Sequence, residues 1–79
     1  MVLVRHWTRF PGASDDAEGI GRFWLRDPIL GPLRAERALA TLAGAGLVEA
    51  RTSADGRTRW WRQPGPDNAQ WLAWLRQQA

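Results

Sequence analysis

The chain has no cysteine and no lysine, a single histidine, and no long apolar run. Without cysteine there can be no disulfide and no thiolate metal site. No stretch approaches the ~18 apolar residues that a membrane span requires. The first residues also lack the apolar segment of a secretory signal. A cytoplasmic location with no membrane partner is therefore the expectation. His6 stands between Arg5 and Trp7 and has no second ligand type nearby, so neither a metal site nor a catalytic pair is expected there. Asp15, Asp16 and Glu18 are explained by the start of a helix rather than by acid–base chemistry. Gly44 and Gly46 follow a helical stretch instead of preceding one, which makes them a helix stop and not a phosphate loop. The chain is thus expected to be no enzyme and to use no cofactor.

What is present fits one small domain of 79 residues. A chain of this size buries only about 60% of its unfolded surface, so its core is thin. Six tryptophans compensate in part, since each can bury on the order of 200 Å². All eleven basic residues are arginine, and the net charge is +3. Arginine without lysine matches the coding bias of a GC-rich genome, and it also suits phosphate and carboxylate recognition by the guanidinium fork. The charge is uneven. Arg51, Arg57, Arg59 and Arg62 stand against one acid, Asp55, whereas Asp15, Asp16 and Glu18 have no base among them. Such a dipole would turn the basic segment first towards a polyanion.

Residues 2–10, rich in β-branched and aromatic types, read as a strand that Pro11-Gly12 ends. Asp15 as N-cap with Glu18 three residues on reads as a capping box. The helix it opens carries Ile20, Phe23 and Trp24 on one face and stops at Asp27-Pro28. Gly19 and Gly21 weaken it by about 1 kcal/mol each. Pro28–Gly31 allows a single turn of helix, and Pro32 pre-sets the next one. That helix, Leu33–Ala43, places Ala35, Leu39, Leu42 and Gly46 on one face and Arg34, Arg37 and Thr41 on the other.

The hairpin follows. Asp55-Gly56 signals a two-residue type I′ turn between 47–53 and 58–62. This register pairs Arg51 with Trp60, Ala50 with Trp61 and Glu49 with Arg62. Trp61 is then expected in the core with Val48, and Trp60 outside, stacked by Arg51. After Pro64-Gly65-Pro66, Asp67 and Gln70 form a capping box for a last helix whose apolar stripe is Trp71, Trp74 and Leu75. That helix either packs back on the core or joins a homodimer.

The run Leu39-x-x-Leu42-x-x-x-Gly46-Leu47-Val48, a polar strand, Asp55-Gly56-Arg57 and an aromatic–basic strand resembles the second half of the winged helix domains of bacterial regulators. The segment Arg26-Asp27-x-Ile29-Leu30-Gly31-Pro32-Leu33-Arg34 is also similar to the winged helix tail of plasmid- and prophage-encoded primase-helicase proteins. The resemblance covers roughly residues 16–63. It implies a small α+β winged helix-turn-helix of three short helices and a two-stranded wing; the strand read at the N-terminus, where many relatives have helix, could pair with the hairpin as a third strand. The chain would be one domain, with an arm at 1–12, a winged-helix core at 15–63 and a C-terminal helix at 67–79. The family implies double-stranded DNA as the partner, in a regulator or replication accessory factor of a bacterial or mobile element. Arg34, Arg37 and Thr41 would face the major groove, and Arg57 and Arg59 would touch phosphates or the minor groove. The alternative is a protein-interaction module, adaptor or inhibitor, that binds its partner through Trp60, Trp71 and Trp74.

Overall fold

A computed structural model of the chain describes residues 1–78. Its first element is a helix, α1 (Val2–Arg9), where the sequence reads as strand. The local preference of Val2, Val4 and Thr8 is for extended backbone. The spacing of Leu3, Val4 and Trp7 decides otherwise. On a helix these three fall on one side, and all three are fully buried. Trp7 also donates from Nε1 to the carbonyl of Ala13 at 2.9 Å, which closes the turn at Pro11-Gly12.

The third strand exists, but it is β1 (Ser14–Asp15), not residues 2–10. Its pairing moves the next helix cap by one residue. Asp15 lies opposite Trp60 in the sheet, so the backbone stays extended until Asp16. Asp16 is therefore the N-cap, accepting from the Gly19 N–H at 2.7 Å. Glu18 is freed from the box and pairs with Arg22 at 2.9 Å instead.

Helix α2 covers Ala17–Gly19 and continues in π-helical form over Ile20–Trp24. The Leu25 N–H reaches back to the Ile20 carbonyl at 3.0 Å. This wider turn rotates Phe23 off the apolar face. Ile20 is buried and Trp24 packs on the core, while Phe23 is 72% exposed. Residues 28–30 form a turn rather than a helix of their own. The Asp27 carboxylate holds that turn by accepting from the N–H groups of Ile29 (3.1 Å) and Leu30 (3.0 Å).

Helix α3 (Gly31–Gly44) crosses α2 at close range. The crossing point is glycine on both sides. A Cβ added to Gly21 would come within 3.0 Å of the Gly31 carbonyl and the Pro32 nitrogen, and one added to Gly31 would meet Gly21. Of the two glycines that weaken α2 as an isolated helix, Gly21 is explained by this contact, whereas a Cβ at Gly19 would meet the Asp15 carboxylate. Ala35, Leu39 and Leu42 of α3 are fully buried, as the heptad-like spacing requires. The helix ends in a Schellman motif. Gly46, at φ 75°, donates to Ala43 at 3.0 Å, and Leu47 donates to Leu42 at 3.0 Å.

Strands β2 (Val48–Thr52) and β3 (Thr58–Arg62) form the hairpin, and the sheet order is β1-β3-β2, antiparallel throughout. The turn differs from the expected type I′. Only Gly56 has positive φ (82°), whereas type I′ needs two such residues. Gly56 donates to Ser53 at 3.0 Å and Ser53 donates to Arg57 at 2.8 Å, giving a three-residue loop with a glycine bulge. The register therefore slips by one: Ala50 faces Trp60, Glu49 faces Trp61 and Val48 faces Arg62. A one-residue slip turns β3 over relative to β2. Trp60 packs against the core, and Trp61 lies on the outer face under the Arg51 guanidinium, 5.1 Å from its ring centre. Glu49 pairs with Arg51, not Arg62.

Helix α4 (Asn68–Gln77) begins with the expected box, Asp67 and Gln70 accepting from each other's backbone N–H at 2.8 and 2.9 Å. Ala79, the last residue of the expected helix, lies outside the described residues. Trp71 is fully buried and meets Trp7 at 5.9 Å between ring centres, so α4 packs back on α1. Arg62 secures this junction. It donates to the carbonyls of Trp7 (3.0 Å) and Pro66 (3.0 Å) and to Asn68 Oδ1 (2.6 Å), and its guanidinium lies over the Trp71 ring. The result is a small α+β domain of four helices and a three-stranded sheet among the described residues.

Candidate functional site

The outward face of α3 presents Arg34, Arg37 and Thr41, all exposed, opposite the buried Ala35, Leu39 and Leu42. The three are not equally available. Arg34 leans on Asp27 at 3.6 Å. Asp27 is held below the usual carboxylate range, first by the N–H of Leu30, then by Ile29 and the Arg34 charge. Thr41 turns its hydroxyl inward to the Arg37 carbonyl at 3.1 Å. The Arg37 guanidinium makes no hydrogen bond or ion pair among the described residues.

The hairpin places Arg57 at its tip, 78% exposed and 3.9 Å from Asp55. Asp55 is itself held low, first by the Ser53 hydroxyl and then by the Arg57 N–H. Arg59 is differently placed. Its Nη2 donates to the carbonyl of Ser14 at 3.0 Å and to the Ser14 hydroxyl at 3.2 Å, which ties β3 to β1. Of the tryptophans expected on a partner-binding surface, Trp71 is fully buried, and Trp60 and Trp74 are half-buried against the core. They do not form an exposed stripe, because a core this small draws them in.

Two groups of residues were not singled out from the sequence. The first is apolar. Phe23, Ile29, Leu30 and Leu33 are 72%, 85%, 56% and 55% exposed around the junction of α2 and α3. The second is basic. Arg5, His6 and Arg9 of α1, with Val2, Phe10 and Arg26, line an open hollow of about 390 Å³. Arg5 and Arg9 could be found from sequence only once residues 2–9 are known to be helical, because strand geometry puts them on a shared face with Trp7. Arg26 occupies the left-handed region at φ 55°, which non-glycine residues seldom adopt. The His6 ring stacks on Trp24 at 3.9 Å. Its burial there lowers its pKa below the ordinary 6.5.

No cluster of His, Cys, Asp or Glu among the described residues is arranged to hold a metal ion. No helix among them is long and apolar enough to cross a membrane. Comparison with known proteins gives no match: no protein-family model fits the chain, and no characterised protein or solved structure is similar to it.

Proposed function

We propose that the chain is a winged helix-turn-helix domain that binds double-stranded DNA without enzymatic chemistry, as a regulator or replication accessory factor of a bacterial or mobile element. The observation that carries this reading is the element order. A helix, a short strand, two helices joined by a tight turn, and a hairpin follow one another, and α3 leads through its glycine stop straight into β2. In such an arrangement α3 enters the major groove and the hairpin lies beside it. Arg37, free on the outward face, is the side chain best able to grip a guanine bidentately, worth about 1–3 kcal/mol of discrimination. Arg34 and Thr41 flank it, and Arg57 reaches the backbone from the wing tip. Arg59, bound to Ser14, contributes less than its position in the sequence implies.

The test is titration into labelled duplex DNA at several salt concentrations. A binder loses affinity as salt rises, and each lost phosphate contact reduces the log–log slope by about 0.9. Arg57→Ala should flatten the slope, Arg37→Ala should relax sequence preference, and Arg59→Ala should do little. Absence of binding at low salt would remove this reading.

A protein-docking module is the second reading, favoured by the apolar residues at the α2–α3 junction. Large exposed apolar patches mark interaction surfaces. Here the surface would be Phe23, Ile29, Leu30 and Leu33, not the tryptophans. In that case Ile29→Ser with Leu30→Ser abolishes partner binding while duplex binding is nil from the start.

A further inference from the structure

The arginines fall into two classes. Arg22, Arg34, Arg51 and Arg57 each have a carboxylate partner, and Arg59 and Arg62 bond to backbone and side-chain oxygens. Arg37 of α3 and Arg76 of α4 have neither kind of partner among the described residues. The same holds for Arg5 and Arg26, and Arg9 lies only over the Phe10 ring, 5.5 Å from its centre. These three line one hollow, together with the His6 ring, and no carboxylate is among its lining residues. At about 390 Å³ the hollow falls within the range of small-ligand sites.

Such a gathering is unfavourable for the fold alone. Arg5 and Arg9 stand four residues apart on α1, a spacing that destabilises a helix when the charges are alike. Arg26 follows the helix end at Leu25 and takes the left-handed conformation common at a helix stop, where glycine is preferred.

We propose that the hollow between α1 and Arg26 is an anion site for a phosphate group. Three guanidinium forks need more acceptor oxygens than one carboxylate has. Inorganic phosphate or a phosphate monoester offers at least one more and a second negative charge, whereas a backbone phosphodiester offers two charged oxygens flanked by two weaker ester oxygens. His6 and Phe10 form the aromatic side of the hollow, 5.2 Å apart between ring centres. The site does not depend on the DNA-binding reading, since it uses none of Arg34, Arg37 or Arg57. The phosphate can belong to a nucleic-acid backbone or to a small phosphorylated compound.

The experiment is NMR of the full chain titrated with inorganic phosphate at constant ionic strength, following arginine Nε–H and His6 ring resonances. The expected result is a saturable shift confined to Arg5, Arg9, Arg26 and His6. Arg5→Gln with Arg9→Gln should weaken phosphate binding by at least about tenfold, a loss of about 1.4 kcal/mol. Arg26→Gly suits the left-handed backbone and keeps the fold, so its loss of affinity reports the side chain alone. Arg76→Gln, at an exposed position of α4 outside the hollow, should leave the affinity unchanged. No saturable shift, or equal shifts at all arginines, overturns the proposal, as does parental affinity in the double variant. Where phosphate binds, a short duplex that displaces it assigns the group to a nucleic-acid backbone. A duplex that leaves these resonances unmoved assigns it to a small phosphorylated compound. Phosphate binding with no duplex binding at all would remove the DNA-binding reading and leave this one standing.

Discussion

Replacing Gly21 by alanine is the sharpest test of how the two central helices meet. Alanine is the better helix former, by about 1 kcal/mol. By that measure alone the substitution stabilises α2. The structure argues the reverse. The new methyl would lie within 3.0 Å of Gly31 and Pro32 backbone atoms, which cannot rotate away as a side-chain tip could. The helices must part, and overpacking of this kind costs about 1–3 kcal/mol or more. Parting them also loosens contacts around Ile20 and Ala35, both fully buried. Taking about 3 kcal/mol for the clash and subtracting about 1 for propensity leaves a net loss of about 2 kcal/mol. For a domain of this size that lowers the melting temperature by roughly 8–16 °C. Gly44 supplies the control, because a Cβ there meets nothing within 4 Å. Gly44→Ala should stabilise by up to about 1 kcal/mol. Urea unfolding followed by tryptophan fluorescence reads both as midpoint shifts at constant slope. If Gly21→Ala unfolds at the parental midpoint or above it, the close crossing is wrong.

Four further outcomes follow from the same geometry. Arg62→Met keeps an apolar stem over Trp71 but strands three acceptors, and should cost about 2–3 kcal/mol; a parental urea midpoint would show that Arg62 does not secure the α1–α4 junction. Asp16→Ala and Asp67→Ala each remove an N-cap and should cost about 1 kcal/mol, whereas Asp15→Ala, one residue before the cap, should not match Asp16→Ala. Arg26→Gly relieves left-handed strain and should raise stability by about 1 kcal/mol, measured by the same unfolding experiment, even as it removes a side chain from the hollow. His6 is the one histidine, and burial lowers its folded pKa below 6.5. The unfolded chain then takes up the proton first, so this contribution is complete above about pH 6.5 and is lost as pH falls from there towards the folded pKa. His6→Phe should flatten the urea midpoint across that window; an unchanged profile would clear His6 of the effect.

Local chemistry was a good guide wherever a short motif settles a backbone. The Asp67–Gln70 box, the glycine stop after α3 and the buried stripe Ala35–Leu39–Leu42 are all legible in sequence and all present. Each is decided by residues within one or two turns of one another. The misreadings share the opposite cause. Residues 2–9 prefer strand locally and become helix because Trp24 and Trp71 cover them, contacts more than a dozen residues away. The Asp16 cap is displaced from Asp15 by a bridge to β3. The hairpin differs from its sequence expectation by a single residue in loop length, which exchanges the inner and outer roles of Trp60 and Trp61. For the candidate site, the α3 face was visible from periodicity alone. The arginine hollow was not, because it joins residues 5 and 9 to residue 26 and requires α1 to be helical.

The clamp at Arg62 bears on the order in which the molecule is made. Alone, α1 is eight residues of mostly poor helix formers, too short to hold its shape in water. What fixes it is made later: the Arg62 side chain, the Asn68 amide on the Thr8 carbonyl and the Trp71 ring lie 55 or more residues further along the chain. This helix is thus made well before the residues that settle it. Until α4 has been made its Leu3, Val4 and Trp7 side chains stay uncovered, and transiently exposed apolar groups of this kind are prone to aggregate. A chain cut after Gln63 should lose the helical signal of α1 along with α4, whereas one cut after Gln77 should keep both.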